Sequence, residues 1–335
     1  MANNNHINEN YDHISLSQVM IDRTKLYLKK TSALFTKRFF SLPPELANDY
    51  EISEILERLK EKTSIKIESS KNPERPIFIF SAGWRSGSTL LQRLIVSSGE
   101  IMIWGEPHGN AAIIPRLGQS FAAILHEPYL ESFYFNKSND SSDLSNQWIA
   151  NITPDISYLK YGQRDLLHKW LGASSEEKFG KKRWGLKEVR LSIEHAKFLK
   201  WLFPEACFLF ILRNPLDAYR SWKGNTWPNL WPNYHSSSPA VFARHWRHLV
   251  KGYLNHYSEV NGMIIKFEDL ISNKVEISKI AHHIGVSKLD KSVLEKKIAT
   301  TGDGKVKVKK RLSLLDRITI NIICSSLMKR LDYKK

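Results

Sequence analysis

The chain has 335 residues, 42% hydrophobic and 11% aromatic, which suits one large globular domain with additions or two modest ones and excludes a wholly disordered chain. Lys and Arg number 50 against 34 Asp and Glu, a formal charge of +16 that calls for an anionic partner: nucleic acid, an acidic membrane surface, or an anionic cofactor and substrate. Cys207 and Cys324 lie in apolar runs and form neither a disulfide framework nor a zinc site; they read as small buried hydrophobes. The stretch "MANNNHINENYDH" lacks a basic region followed by an apolar one, and no run approaches the roughly 18 apolar residues of a spanning helix. The expectation is a soluble cytoplasmic protein.

Residues 1–75 are predicted to be a helical N-terminal extension. "LYLKKTSALFTKRFFSL" (26–42) mixes basic and apolar residues up to the break at Pro43-Pro44. It reads structurally as a packed helix with solvated lysines, functionally as a peripheral contact with an anionic membrane surface. "ELANDYEISEILERLKEK" (45–62) then places Ile52, Ile55, Leu56 and Leu59 on one helical face. From residue 76 to 335 the pattern is β-α alternation. Strands are predicted at 77–81, 101–104, 184–189, 207–212 and 263–267, with helices at 88–98, 192–201, 215–223 and 239–256. That order predicts an α/β fold with a mostly parallel central sheet flanked by helices. Residues 136–150 read as a polar surface loop. A C-terminal amphipathic helix is expected over 311–333, with Leu312, Leu315, Ile318, Ile322 and Leu327 toward the core.

Parallel sheets place their ligands at the carboxyl ends of the strands, so the residues there carry the function. The first strand runs into "GWRSGST" (83–89) and then a helix, a phosphate cradle made of free amides and a helix N-terminus. The lysine of the nucleotide-hydrolase pattern is missing, because Gly87 is followed directly by Ser88. The second strand ends in "WGEPHG", with Glu106 and His108; the third carries Lys187 and Glu188. The fourth ends in Arg213, with Asn214 and Pro215 suited to N-cap and first helical positions, and Ser221 two turns on. A magnesium-dependent phosphoryl-transfer enzyme needs a carboxylate where Arg213 stands. Arg85, Lys187 and Arg213 instead suit a highly anionic ligand held without a metal.

These motifs, in this order, resemble the sulfotransferases that use 3′-phosphoadenosine 5′-phosphosulfate (PAPS). "GWRSGST" is similar to their 5′-phosphosulfate loop, and "ILRNPLDAYRSW" to their 3′-phosphate segment. "WGEPHG" is similar to the Gly-Glu element of the carbohydrate and tyrosylprotein branch, and "IIKFEDLI" (264–271) to the family's late strand and turn. The resemblance spans roughly residues 76 to 330 and implies a P-loop-like sulfotransferase fold. Many cytosolic relatives differ by a loop lysine and a histidine base. Their late Arg-Lys-Gly signature has no clean match; "TTGDGKVKVKKR" (300–311) stands at the comparable place.

The resemblance implies in-line transfer of the sulfuryl group from PAPS to an acceptor hydroxyl. Glu106 is the implied base, with His108 in reserve. Arg85 and Lys187 would stabilise charge on the leaving group, with amides of Gly87, Ser88 and Thr89; Ser86 completes the loop. Arg213 and Ser221 would bind the 3′-phosphate. Trp222, Trp227 and Trp231 in "SWKGNTWPNLWPNY" are either platforms for sugar faces or core, and with Glu106 they favour a glycan or glycolipid acceptor. His245 and His248 read as a polar helix face, not a metal site. "KVKVKKR" (305–311) comes with no nucleic-acid motif, so no nucleic-acid partner is expected. The rival readings are a magnesium-dependent P-loop kinase and a non-catalytic basic polyanion-binding protein.

Overall fold

A computed structural model of the chain describes residues 52–54, 56–57, 74–107, 111–125, 144–146, 148–150, 152–223, 229–230, 234–235, 238–296 and 311–334. The strands are β1 (Ile77–Ser81), β2 (Ile101–Trp104), β3 (Arg183–Glu188), β4 (Cys207–Leu212), a short antiparallel pair β5 (Asn229–Leu230) and β6 (Tyr234–His235), and β7 (Gly262–Lys266). The helices are α1 (Ser88–Val96), α2 (Ile113–Leu125), α3 (Ile156–Leu167), α4 (Ser174–Phe179), α5 (Ile193–Leu202), α6 (Pro215–Trp222), α7 (Pro239–His256), α8 (Phe267–Ile271), α9 (Ile277–Ile284) and α10 (Leu314–Arg330). Five strands form one parallel sheet in the order β2-β3-β1-β4-β7.

β1 and β4 stand at its centre, and every residue of both is buried, because helices cover both faces of a parallel sheet and leave no side for water. Phe78, Phe80, Phe208 and Phe210 fill one side of this centre with ring contacts. Ile77, Ile79, Leu209 and Ile211 pack on the other against Leu91, Leu94 and Ile95 of α1. β3 meets β1 closely at Gly185: a Cβ there would stand 2.1 Å from the Ile77 carbonyl oxygen.

The predicted α/β alternation is the observed architecture. β1, β2, β4 and α7 begin and end where the sequence pattern places them; β3 and β7 start one residue earlier. Residues 52–54 and 56–57 are helical, with Ile52 and Leu56 buried and the Ser53 hydroxyl bonded to Glu194 of α5. The basic stretch 26–42 lies outside the described residues.

The C-terminal helix corrects the sequence reading. Leu315, Ile318 and Ile322, predicted to face the core, are 74%, 44% and 53% exposed, and Leu312 is half-buried. Ile320, Ile323, Cys324, Leu327 and Met328 form the buried face. Apolar residues occupy both sides of this helix, so a helical period alone permits either orientation. Asp316 is buried: it closes a capping box with Ser313 and pairs with Lys223, which turns the 316–320–323–327 side inward.

Candidate active site

The turn from β1 to α1 wraps because three of five consecutive positions take left-handed backbone: Gly83 (φ 82°), Arg85 (φ 65°) and Gly87 (φ 93°). It is pinned from below. The Ala82 amide donates to Ile211 O of β4 (3.1 Å), the Ser81 hydroxyl to Gly83 O (2.8 Å), and the buried Ser86 hydroxyl to Ala82 and Gly83 carbonyls (3.2 Å each). Ser86 is therefore a strut for the turn. α1 begins at Ser88 with Gly87 as N-cap, no side chain capping it and no acid in its first turn. Its leading amides are the orphan donors of a helix start, with the positive dipole end behind them.

Gly87 has a second constraint. A Cβ at this position would meet Phe267 Cδ2 of α8 at 2.2 Å. Gly87→Ala is expected to lower the thermal unfolding midpoint and loosen the turn, at a cost of about 2–4 kcal/mol from strain and clash together. Gly99→Ala is the control, since Gly99 shares a left-handed φ (73°) but has nothing within 4 Å of a Cβ. Equal losses of melting temperature in both would show that the Phe267 contact is immaterial.

Two groups of charged residues meet at this end of the sheet. In the first, Arg85 Nε donates to Ser221 Oγ (3.0 Å) and Arg213 Nη1 donates to Arg85 O (2.9 Å). Arg213 leaves β4 and lies over Phe267, its guanidinium carbon 4.4 Å from the ring centroid. Its carbonyl accepts from Trp246 Nε1 (3.0 Å). Asn214 and Pro215 start α6 as predicted; the Asn214 side chain accepts from the Leu216 amide (3.0 Å) and donates to Lys334 O (2.9 Å). Desolvation pulls the Arg213 guanidinium pKa below its usual value, against the opposing pull of Asp217 and Glu268. Among the described residues its buried Nε has no hydrogen-bond partner. A buried, unsatisfied donor on a cation is costly unless an anion completes it.

The second group sits where β2 and β3 end. Lys187, opposite Ile79 in the β1–β3 register, is buried and donates to Glu106 Oε1 at 2.6 Å. Arg190 Nη2 stands 3.7 Å from Glu106 Oε2 and bonds Glu188 through Nε (3.1 Å) and Nη2 (3.3 Å). Burial pushes the Glu188 carboxyl pKa up, with Arg190 pulling the other way. The chain from Lys187 through Glu106 and Arg190 to Glu188 thus alternates in sign. Lys187 is no surface partner of its neighbour Glu188; it reaches across to Glu106.

Arg85, Ser86, Gly87, Ser88, Thr89, Glu106, Lys187, Arg213 and Ser221 therefore all fall on the carboxyl ends of β1–β4 or the helices that follow. Ser88 is buried at the start of α1 and Thr89 is exposed beside it. His108 lies outside the described residues, as do Trp227, Trp231 and 300–310. Trp222 is no exposed platform: it is buried and stacks on Trp84 at 4.9 Å, with His245 on the other contact of Trp84 at 5.4 Å. The turn's apolar ring needs cover, and α6 and α7 supply it. Arg190 and Phe267 went unread in the sequence. The run "LKEVR" signals Arg190 as a third charge at a strand end, whereas nothing local announces that Phe267 lies under Arg213. Among the described residues no group of three His, Cys, Asp or Glu is placed to hold a metal ion.

Residues 76–290 match the model of the family described as "Sulfotransferase family", and the chain belongs to that family. It is a sulfotransferase by membership. No curated protein matches it in sequence. Among solved structures, the sulfotransferase domain from the Synechococcus PCC 7002 olefin synthase is similar at 16% identity, covering 81% of this chain and 100% of that one, with a TM-score of 0.40. The sulfotransferase domain from the curacin biosynthetic pathway is similar at 14% identity over 78% and 98% (TM-score 0.40), and a sulfotransferase from Alicyclobacillus acidocaldarius at 15% over 78% and 97% (TM-score 0.40).

Proposed function

We propose that the chain moves the sulfuryl group of PAPS to a hydroxyl of a glycan or glycoconjugate, with Glu106 as the general base. The observation that carries this reading is the Glu106–Lys187 contact at 2.6 Å, one strand away from a turn whose helix start has no side-chain cap and whose Arg213 Nε suits an anion. A base and a leaving-group cation must flank the transferred group; Lys187 stands on β3, beside the strand that enters the turn, and Glu106 follows β2, one strand further out.

PAPS, when bound, supplies the sulfuryl group and takes away the electrons of the broken S–O bond. Arg213 and Ser221 would hold its 3′-phosphate, and the Arg213 Nε supports that assignment as the donor left without a partner. Arg85, bonded to Ser221 and to Arg213, joins the phosphate-binding group as well as the turn. The amides of Gly87, Ser88 and Thr89 would bind the 5′ end, where the helix dipole favours negative charge. Lys187 neutralises charge on the departing oxygen, an interaction stronger in the transition state than before it. As Lys187 turns toward that oxygen, Glu106 loses its 2.6 Å partner and its Oε1 takes the acceptor hydroxyl proton. Arg190 keeps the other carboxylate oxygen in place. The proposed location is the cytoplasm; no helix among the described residues is long and apolar enough to cross a membrane.

Incubation with PAPS and a panel of acceptors, read by mass spectrometry, tests the acceptor class. Sulfated oligosaccharide or glycolipid is the expected product. Turnover confined to a small phenol or a tyrosine peptide would overturn the glycan assignment and leave the donor chemistry standing.

A further inference from the structure

The outward side of α10 is apolar where a helix of a globular protein is normally polar. Leu314, Leu315, Ile318 and Ile322 are 73%, 74%, 44% and 53% exposed, and they recur at three- and four-residue spacing on one face of a 17-residue helix. Exposed Arg311, Arg317, Lys329 and Arg330 flank them. Arg330 also donates to Asn255 Oδ1 (3.0 Å) and Leu254 O (3.3 Å), which fixes it at the end of the stripe. The helix contains one acidic residue, Asp316, and that one is buried against Lys223 and Ser313. The supporting helix α7 contains no Asp or Glu and carries Arg244, Arg247 and Lys251. Asp332, past the end of α10, is the exposed carboxylate that follows it.

We propose that this face of α10 is a docking surface for an anionic lipid bilayer. Four aliphatic side chains bordered by arginine and lysine are the composition of a helix that lies in a membrane interface, its apolar side among the acyl chains and its cations at the headgroups. The charge pattern also argues against the obvious rival, a second copy of the chain. A twofold contact sets the same patch against itself, so Arg311, Arg317, Lys329 and Arg330 would meet their own counterparts with no exposed carboxylate in the helix to balance them. The helix is well anchored for such a contact. Lys223, two residues after Ser221, pairs with Asp316 at one end; Asn214 and Lys266 bond Lys334 O and Leu331 O at the other. These bonds join the ends of α10 to the residues that follow Arg213 and Ser221. This docking role stands independently of which acceptor is sulfated.

The test is co-sedimentation of the full chain with vesicles of phosphatidylcholine, alone or with phosphatidylglycerol. Wild type is expected to partition onto the anionic vesicles and to remain in solution with phosphatidylcholine alone. Leu315→Gln/Ile318→Gln should lose about tenfold or more in partitioning. Arg311→Gln/Arg317→Gln should lose roughly fivefold per charge. Both variants alter exposed positions, so unchanged circular dichroism and melting temperature keep the comparison valid. The proposal is overturned if wild type does not bind the anionic vesicles. It is equally overturned if the apolar variant binds as well as wild type, or if that variant instead abolishes a dimer seen by ultracentrifugation.

Discussion

Glu106→Gln is expected to lower kcat for sulfuryl transfer by about 10²- to 10⁴-fold, the range a positioned general base contributes, and to leave adenosine 3′,5′-bisphosphate binding unchanged. The amide keeps the size of the carboxylate and can still accept from Lys187 Nζ at the 2.6 Å contact, so the fold at the ends of β2 and β3 is preserved. What it would remove, in the proposed mechanism, is the place for the acceptor proton. Glu106 is also the counterion of Lys187 and Arg190, and if that were its only role the result would differ. Losing it would then weaken stability by leaving two buried cations facing an uncharged group, while any residual folded enzyme kept its rate. Steady-state kinetics together with thermal melting separate the two. A large loss of kcat per folded molecule supports the base, whatever the change in melting temperature. A destabilised protein with normal turnover per folded molecule contradicts it.

Arg213→Ala should weaken adenosine 3′,5′-bisphosphate by roughly 10- to 150-fold, the equivalent of the about 1.5–3 kcal/mol carried by a hydrogen bond to a charged group. Some of this loss is indirect, because Arg213 also holds the Arg85 carbonyl and rests on Phe267. Arg213→Lys divides the two contributions. Lysine restores the charge without the planar fork, so it should recover part of the affinity and little of the discrimination for the 3′-phosphate. Equal affinity for the bisphosphate in wild type and Arg213→Ala, measured by calorimetry, would remove the phosphate role from this residue.

The sheet was legible because β1 and β4 are apolar without interruption, a pattern that parallel strands covered on both faces require. The candidate site was legible for a related reason: parallel topology sends every strand end to one edge, so charged residues directly after apolar runs converge. Arg85, Arg213 and Ser221 meet there, as do Glu106 and Lys187. Partners that come from another part of the chain were not legible. The ring of Phe267 under Arg213 and the closure of Asn214 by Lys334 are tertiary events with no local signature. Trp222 misled because aromatic content says nothing of exposure; its stacking on Trp84 does. α10 misled because it is apolar on both faces, and burial of Asp316 in its pair with Lys223, not periodicity, selects the inner one.

The proposed function rests on the β1–α1 turn and Arg213 binding a 3′-phosphorylated adenosine nucleotide. Calorimetric titration of the wild-type protein with adenosine 3′,5′-bisphosphate, beside ADP with and without magnesium, tests it most directly. Magnesium-independent binding of the bisphosphate is expected, roughly tenfold or more tighter than ADP. ADP binding that depends on magnesium and equals or exceeds that of the bisphosphate would contradict it.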